Sequence, residues 1–337
     1  VNPITGAGVC EMARKSLRQR YPHQFLDGGI VVWKPRGPSS RRVVDIVQRR
    51  LSLRGLGHCG TLDPLASGVM VLTGGMGSKF QQWLTVHDKV YEATVWFGVG
   101  SESGDAEGPL SFSAESVSLP AQSDIEAILP QFIGEQMQVP PTHSAVRVDG
   151  QRAYKRARAG DMTPLKARPV RIEKLRILEW DGARCRIEVS CGPGTYIRSL
   201  AHDLGEALGV PATLMALRRT SCGVHSTEDA LRVDRVTREH WWTLERLVSH
   251  LPAMAVSTDL ALKMGQGQSV EVTAAEGSEV EVTEEAAGDE DAAGDENTAG
   301  DRVIYSDGKV QGIAVLDDSL LKPRRWLSRG QRDEISS

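Results

Sequence analysis

The chain has no apolar run approaching the roughly 20 residues that a membrane-spanning helix needs, so no such span is expected. No hydrophobic segment accompanies the basic stretch that carries Arg14, Lys15, Arg18 and Arg20, so no secretory signal is expected either. The five cysteines, Cys10, Cys59, Cys185, Cys191 and Cys222, are odd in number and contain no C-x-x-C pair. That argues against a disulfide framework and against structural zinc, and makes a reducing cytoplasm the expected setting. The Gly74-Gly75-Met76-Gly77-Ser78-Lys79 stretch lacks the G-x-x-x-x-G-K-[ST] spacing of a phosphate loop. No other cofactor signature is present, so neither cofactor nor metal is expected.

Lys and Arg are also missing from one long stretch, between Lys263 and Arg302. Residues 271–301 hold twelve carboxylates, among them Glu276, Glu284, Glu285, Asp289, Glu290 and Asp291. The stretch repeats Ala-Ala-Gly-Asp-Glu and reads as a disordered acidic insertion over about 275–299. The formal charge of the whole chain, -4, therefore misleads. Outside 271–301, 40 basic residues face 32 acidic ones, a balance of +8. Such a surface suits a polyanionic partner such as RNA, although ordinary surface charge produces the same balance.

A chain of 337 residues usually holds two domains, and 40% apolar content suffices for a globular core. Residues 1–28 read as a basic, loosely ordered leader. Ile30 to Trp33 is a short strand. Ser39 or Ser40 caps a helix to about Leu53, with Val43, Val44, Ile46, Val47 and Leu51 on one stripe. Val69 to Thr73 reads as a buried strand and Ser78 to Leu84 as a short helix. From Lys89 to Val99 the pattern alternates, with Tyr91, Ala93, Val95, Phe97 and Val99 sharing a face. Ser101 to Ser118 is polar and reads as loop. Ser123-Asp124-Ile125-Glu126 is a capping-box pattern opening a helix. Val170–Trp180 and Arg184–Ser190 pair around Asp181-Gly182, and Tyr196–Leu208 is an amphipathic helix. Strands and helices mix without regular alternation, which indicates α+β.

Between the first helix and the buried strand lies Gly57-His58-Cys59-Gly60-Thr61-Leu62-Asp63-Pro64-Leu65-Ala66-Ser67-Gly68. Pro64 biases Asp63 toward extended backbone, and Gly57, Gly60 and Gly68 allow backbone shapes that other residues resist. A carboxylate on a shaped loop between two packed elements is well placed for chemistry. By local features alone, a plain surface turn fits equally well. A hydrolase built from Cys59, His58 and Asp63 does not fit, because adjacent residues of one loop cannot reach the geometry of a triad.

This segment resembles the catalytic loop of the TruB family of pseudouridine synthases, G-H-x-G-x-L-D-P-x-A-x-G. Four further blocks resemble the same family in the same order. They are Val32-Trp33-Lys34-Pro35-Arg36-Gly37, Lys89-Val90-Tyr91-Glu92-Ala93, Gln138-Val139-Pro140-Pro141 with Ser144-Ala145, and Gly194-Thr195-Tyr196-Ile197-Arg198-Ser199-Leu200 with Leu217-Arg218-Arg219-Thr220 behind it. The resemblance covers residues 29–220. Four positions depart from it: Cys59 stands at a usual Thr, His143 at a usual Tyr, Arg147 at a usual Lys, and Gly192-Pro193 at a usual Ser-Lys.

The resemblance implies a pseudouridine synthase fold, a mixed and mostly antiparallel sheet flanked by helices over 29–251. It also implies a small C-terminal PUA-like β domain over 252–330, interrupted by the acidic insertion. The implied activity is isomerisation of a uridine in the T-loop of tRNA, at position 55. Asp63 is the implied catalytic residue, acting on the sugar, on the base, or on the departing uracil. Arg198 is its implied partner, Tyr91 lies under the flipped base, Leu217 walls the pocket, and His58 enters the space the base leaves. Plain core packing accounts equally well for Tyr91 and Leu217 viewed alone. Lys34, Arg36, Arg147 and Lys155 are candidate contacts to the RNA backbone. The expected partner is the T-arm of tRNA, with no protein partner and a monomeric enzyme. An idle RNA-folding factor on the same scaffold is the alternative from another class. A guide-RNA-dependent relative ranks below both, since the chain lacks the lysine-rich tail expected of one.

Overall fold

The computed structural model describes residues 25–113, 117–142, 144, 147–148, 151–153, 161, 165–272, 300–317 and 319–327. Most of the 1–28 leader, the acidic segment 275–299, His143 and Lys155 lie outside these residues, as does the side chain of Arg147.

Strand β1 (Gly28–Lys34) enters the core and turns into α1 (Ser40–Leu51). Ser39 is the N-cap, its side chain accepting from the Arg42 backbone N–H, and Val43, Val44, Val47 and Leu51 form the buried stripe. β2 (Gly57–Cys59) and β3 (Ala66–Gly74) flank the Asp63 loop. A 3-10 turn, Gly75–Phe80, and the short α2 (Gln81–Thr85) lead to β4 (Lys89–Phe97), whose residues alternate strictly between buried and half-buried. Within the stretch expected to be loop, Leu110–Phe112 forms a short strand, β6, which pairs with β5 (Val99–Ser101), and the loop between them buries Asp105. Polar composition hid it, because the side chains that face inward there are themselves polar.

Helix α3 (Gln122–Ile128) starts one residue before the expected cap. The Asp124 carboxylate, not Ser123, reaches back to the Ala121 N–H at 2.8 Å. β7 (Gly134–Gln138), β8 (Arg147–Val148), β9 (Gln151–Arg152), β10 (Arg168–Trp180) and β11 (Arg184–Cys191) follow. Next come α4 (Ile197–Ala207), β12 (Ala212–Cys222), β13 (His225–Ser226), β14 (Leu231–Arg232) and α5 (Leu244–Val248).

Apart from the two-stranded pairs β5-β6 and β8-β9, these strands form one ten-stranded sheet, ordered β14-β1-β3-β12-β4-β11-β10-β7, with β2 added to β3 and β13 to β12. Pairing is antiparallel except β1 with β14 and β3 with β12. The parallel contact of β3 and β12 matters most, since it sets Leu217 opposite Ala66 and Arg219 opposite Gly68. On the other side of β12, Arg219 stands opposite Tyr91 of β4. Paired residues share a face, so Tyr91, Leu217 and Arg219 all lie beneath the Asp63 loop. Helix α4 covers the same face with Ile197, Leu200, Ala201 and Leu204, in one apolar cluster with Leu62, Leu65 and Tyr91.

The remaining strands, β15 (Ala253–Ala255), β16 (Val270–Glu271), β17 (Asp301–Ser306), β18 (Lys309–Asp317) and β19 (Leu320–Trp326), form a five-stranded sheet with α6 (Thr258–Gly265) against it. Val303, Val310, Ile313 and Leu327 join Val31, Val69, Val71 and α5 in one apolar cluster, which ties the two sheets together. Among the described residues no helix is long and apolar enough to cross a membrane.

Candidate active site

Asp63 sits at the crest of a loop that is held from below at several points. Leu62, just before it, is clamped by the buried Ser40 hydroxyl, which accepts from the Leu62 N–H and donates to the Leu62 carbonyl, both at 2.8 Å. Lys34 Nζ donates to the carbonyl of Ala66 at 2.6 Å, of Pro35 at 3.1 Å and of Pro64 at 3.4 Å. Arg219 donates from Nη2 to the Gly60 carbonyl at 3.3 Å and from Nε to the Val69 carbonyl at 2.7 Å. The Gly37 N–H donates to Pro64 O at 2.8 Å. Gly68 is the one residue that lets β12 come so close. Its φ is +126°, and a Cβ there would lie 2.2 Å from the Arg219 carbonyl oxygen.

Arg198 reaches the same point from the first turn of α4. Its Nε lies 2.9 Å from Asp63 Oδ2 and its Nη2 donates to Asp63 Oδ1 at 3.2 Å, a two-pronged contact. Arg198 Nη1 donates to the Ser103 carbonyl at 3.0 Å, and Asp105 Oδ2 lies 3.7 Å from Nε. The helix is fixed in turn by Gln138. The Tyr196 N–H donates to Gln138 Oε1 at 2.7 Å, and Gln138 Nε2 donates to the Tyr196 carbonyl at 3.0 Å. The Ser199 hydroxyl adds a bond to the Val139 carbonyl at 2.7 Å. The Gln138-Val139 block thus serves to seat the arginine helix.

The Arg198 and Asp105 side chains are 5% and 7% exposed, while that of Asp63 is 32% exposed and is the member open to a ligand. Burial holds the Asp63 carboxyl above its ordinary range; Arg198 opposes this and Asp105 reinforces it. Tyr91 is buried, and that burial pushes its phenol up to about 12 against the pull of Arg219. Leu217 is buried in the same apolar cluster as Tyr91, and His58 lies half-buried on β2.

Two of the sequence-predicted RNA contacts need comment. Lys34 does not face solvent. It is fully buried, burial lowers its pKa to about 8, and its donors are turned onto loop carbonyls, so it supports the loop and cannot reach a phosphate. Arg36 is exposed on the turn after β1. Three further residues complete the site: Gln138 and Arg219, which the sequence blocks contain but to which no role was given, and Asp105, which sequence reasoning passed over. The only signal for Asp105 was its place in a short Ser/Gly turn, which is not distinctive without the fold.

The model for the TruB family pseudouridylate synthase N terminal domain matches residues 48–197. That for the tRNA pseudouridylate synthase B C-terminal domain matches residues 198–263. The tRNA pseudouridine synthase B of Burkholderia mallei is 35% identical over 326 residues, 95% of this chain and 100% of that protein. The one from Pseudomonas aeruginosa is 41% identical over 215 residues, 64% of this chain and 70% of that protein. Among solved structures, a chain of a Cbf5-Nop10-Gar1 complex superposes with a TM-score of 0.65 at 22% identity, covering 90% of this chain and 86% of that one. A chain of an H/ACA RNP bound to a substrate RNA containing 2′-deoxyuridine gives 0.61 at 20%, with 90% and 86% covered. The α+β architecture with its mixed, mostly antiparallel sheet is therefore the pseudouridine synthase fold. An alignment that runs the whole length of a curated relative at this identity leaves one assignment: the chain belongs to the TruB family of pseudouridylate synthases.

Proposed function

We propose that this protein converts a uridine of tRNA to pseudouridine, at T-loop position 55, with Asp63 as the catalytic residue. The observation that carries the reading is the two-pronged Asp63–Arg198 contact at the crest of the braced loop. The reaction breaks the ribose C1′ to uracil N1 bond, turns the base and rejoins it through C5. It adds no atom and changes no net oxidation state, so a carboxylate held by a cation is sufficient machinery. The target base lies inside folded RNA and must be flipped out to reach Asp63.

In this reading the flipped uracil rests over Tyr91 and against Leu217, which the sheet register sets side by side under the loop. His58 fills the place the base vacates and stacks there. Arg36, Arg147 and Lys155 contact the RNA backbone. The five-stranded sheet serves as a PUA-like second RNA-binding domain, and the enzyme works as a cytoplasmic monomer without a protein partner.

The test is tritium release from C5-labelled uridine in an unmodified tRNA transcript, with wild type and Asp63→Asn side by side. Release by wild type alone supports the reading. Absence of release from the wild type, with tRNA still bound, overturns it in favour of an RNA-folding factor.

A further inference from the structure

Arg219 has no exposed surface and is the largest fully buried side chain among the described residues. A guanidinium in such a place normally faces a carboxylate, because burying an unpaired charge is costly. Here its hydrogen bonds go to the carbonyls of Gly60 and Val69, and Tyr91 stands opposite it across the β12–β4 pairing. Among the described residues it forms no ion pair with an Asp or Glu. The acidic groups around it cannot supply the missing charge. Burial pushes the thiols of Cys59 and Cys191 and the phenol of Tyr91 up to about 12, so all three are neutral at physiological pH. Asp63 and Asp105 are already engaged by Arg198. Lys34 and Lys89 are buried nearby, and burial lowers the pKa of both. Arg219 therefore stands beneath the site as a fixed cation with no carboxylate of its own among the described residues.

A cation so placed has a use if a negative charge appears in the site only during the reaction. When the C1′–N1 bond breaks, its electron pair leaves with N1 and the uracil becomes an anion. It stays so until C5 bonds to C1′. The C5 proton is then lost, its bonding pair returns to the ring, and N1 takes up a proton. A fixed cation behind the base, in a site closed to water, favours this anion without reorganisation.

We propose that Arg219 is a positioning residue that acts through Tyr91. It orients the phenol and places positive potential under the uracil, favouring the base as it departs. The proposal rests on the placement of the uracil over Tyr91 given under Proposed function, and it adds a role for a residue that does not itself touch the base.

The experiment is single-turnover conversion of two tRNA transcripts, one carrying uridine and one 5-fluorouridine at the target position, followed as loss of the intact target nucleoside. Wild type, Arg219→Lys, Arg219→Met and Tyr91→Phe are compared, with tRNA affinity measured by filter binding. Fluorine makes uracil a better leaving anion. The expected result is that Arg219→Met slows uridine tenfold or more at unchanged affinity, slows 5-fluorouridine much less, and is largely rescued by Arg219→Lys. Equal slowing of both substrates overturns the proposal and makes Arg219 a brace of the loop alone. If Arg219→Met does not fold, Arg219→Gln is read by the same ratio. Failure of the underlying reading looks different: Tyr91→Phe then converts both transcripts at the wild-type rate.

Discussion

Ser40 and Leu62 exchange two hydrogen bonds through one hydroxyl, 22 residues apart in sequence, and so fix the backbone immediately ahead of Asp63. Gln138 does the same for Tyr196, two residues ahead of Arg198. Each half of the Asp63–Arg198 pair is thus set by a side chain that holds both backbone groups of a preceding residue. Replacing Ser40 with Ala leaves a buried N–H and C=O of Leu62 without their partner, at a cost of about 1–3 kcal/mol. Ser40→Ala and Gln138→Ala are each expected to lower the urea midpoint modestly and turnover by more than the stability loss explains. Because both act on one ion pair, the double variant loses less activity than the product of the two single losses. Turnover in all four proteins checks this.

Asp105 and Arg198 push the Asp63 carboxyl in opposite directions. Asp105 raises it and Arg198 lowers it, on top of a rise from burial. With Asp63 in the proposed catalytic role, its ionised form does the work, and activity is expected to fall as pH drops through its raised pKa. Asp105→Asn removes the neighbouring negative charge and is expected to move this acid limb to lower pH. Arg198→Gln removes the cation and is expected to move it to higher pH, with a much larger fall in turnover. The pH profiles of kcat/KM for the two variants decide it; shifts of the same sign would refute the account.

Gly68 carries no functional group, yet it is expected to be among the least replaceable residues of the loop. A Cβ at this position would lie 2.2 Å from Arg219 O and 2.6 Å from Arg219 N, both main-chain atoms of the neighbouring strand. The backbone cannot yield without parting β3 from β12. Gly68→Ala is expected to destabilise by several kcal/mol, on the order of the largest single-residue effects. A loss below about 1 kcal/mol by urea denaturation overturns this.

Much of this site was readable before the fold was known. Asp63, Tyr91, Arg198 and Leu217 each stand in a short motif, and the sheet register brings Tyr91 and Leu217 under the loop. The Asp63–Arg198 contact joins residues 135 positions apart, and only the resemblance pointed to it. Lys34 misled because a lysine in a turn motif reads as solvent-facing, and its burial follows from pairing with Gly68 in the sheet. Asp105 escaped notice for the converse reason. It lies in a polar turn where the Ser101 hydroxyl donates to its carbonyl and the Ser103 hydroxyl to its carboxylate, so no apolar periodicity announced it.

The acidic residues 275–299 fall in the sequence between β16 and β17 of the second sheet, and among the described residues the charged groups around Asp63 are Lys34, Asp105 and Arg198. Deleting residues 275–299 is expected to leave kcat on saturating tRNA within about twofold of wild type. A large loss of turnover on saturating tRNA would tie this segment to the chemistry.

Lys34 is expected to limit activity on the alkaline side. Its ammonium has three hydrogens, and three carbonyls, of Pro35, Pro64 and Ala66, accept from it. The neutral amine has only two, so deprotonation releases one carbonyl of the Asp63 loop. Burial lowers the pKa from 10.5 to about 8, within reach of ordinary assay conditions. The sign for stability runs the other way. Between about 8 and 10.5 the unfolded chain holds a proton that the folded one has lost, so this group favours the fold increasingly as pH rises. Turnover is therefore expected to fall through an apparent pKa near 8 while the Lys34 contribution to stability rises. Arg219 helps hold that pKa down, so Arg219→Met should shift the alkaline limb upward. Lys34→Arg stays charged throughout and should lack this limb altogether, whatever its absolute rate. Rate profiles from pH 6 to 10 for the three proteins measure both effects, and an unchanged alkaline limb in Lys34→Arg rules Lys34 out as its source.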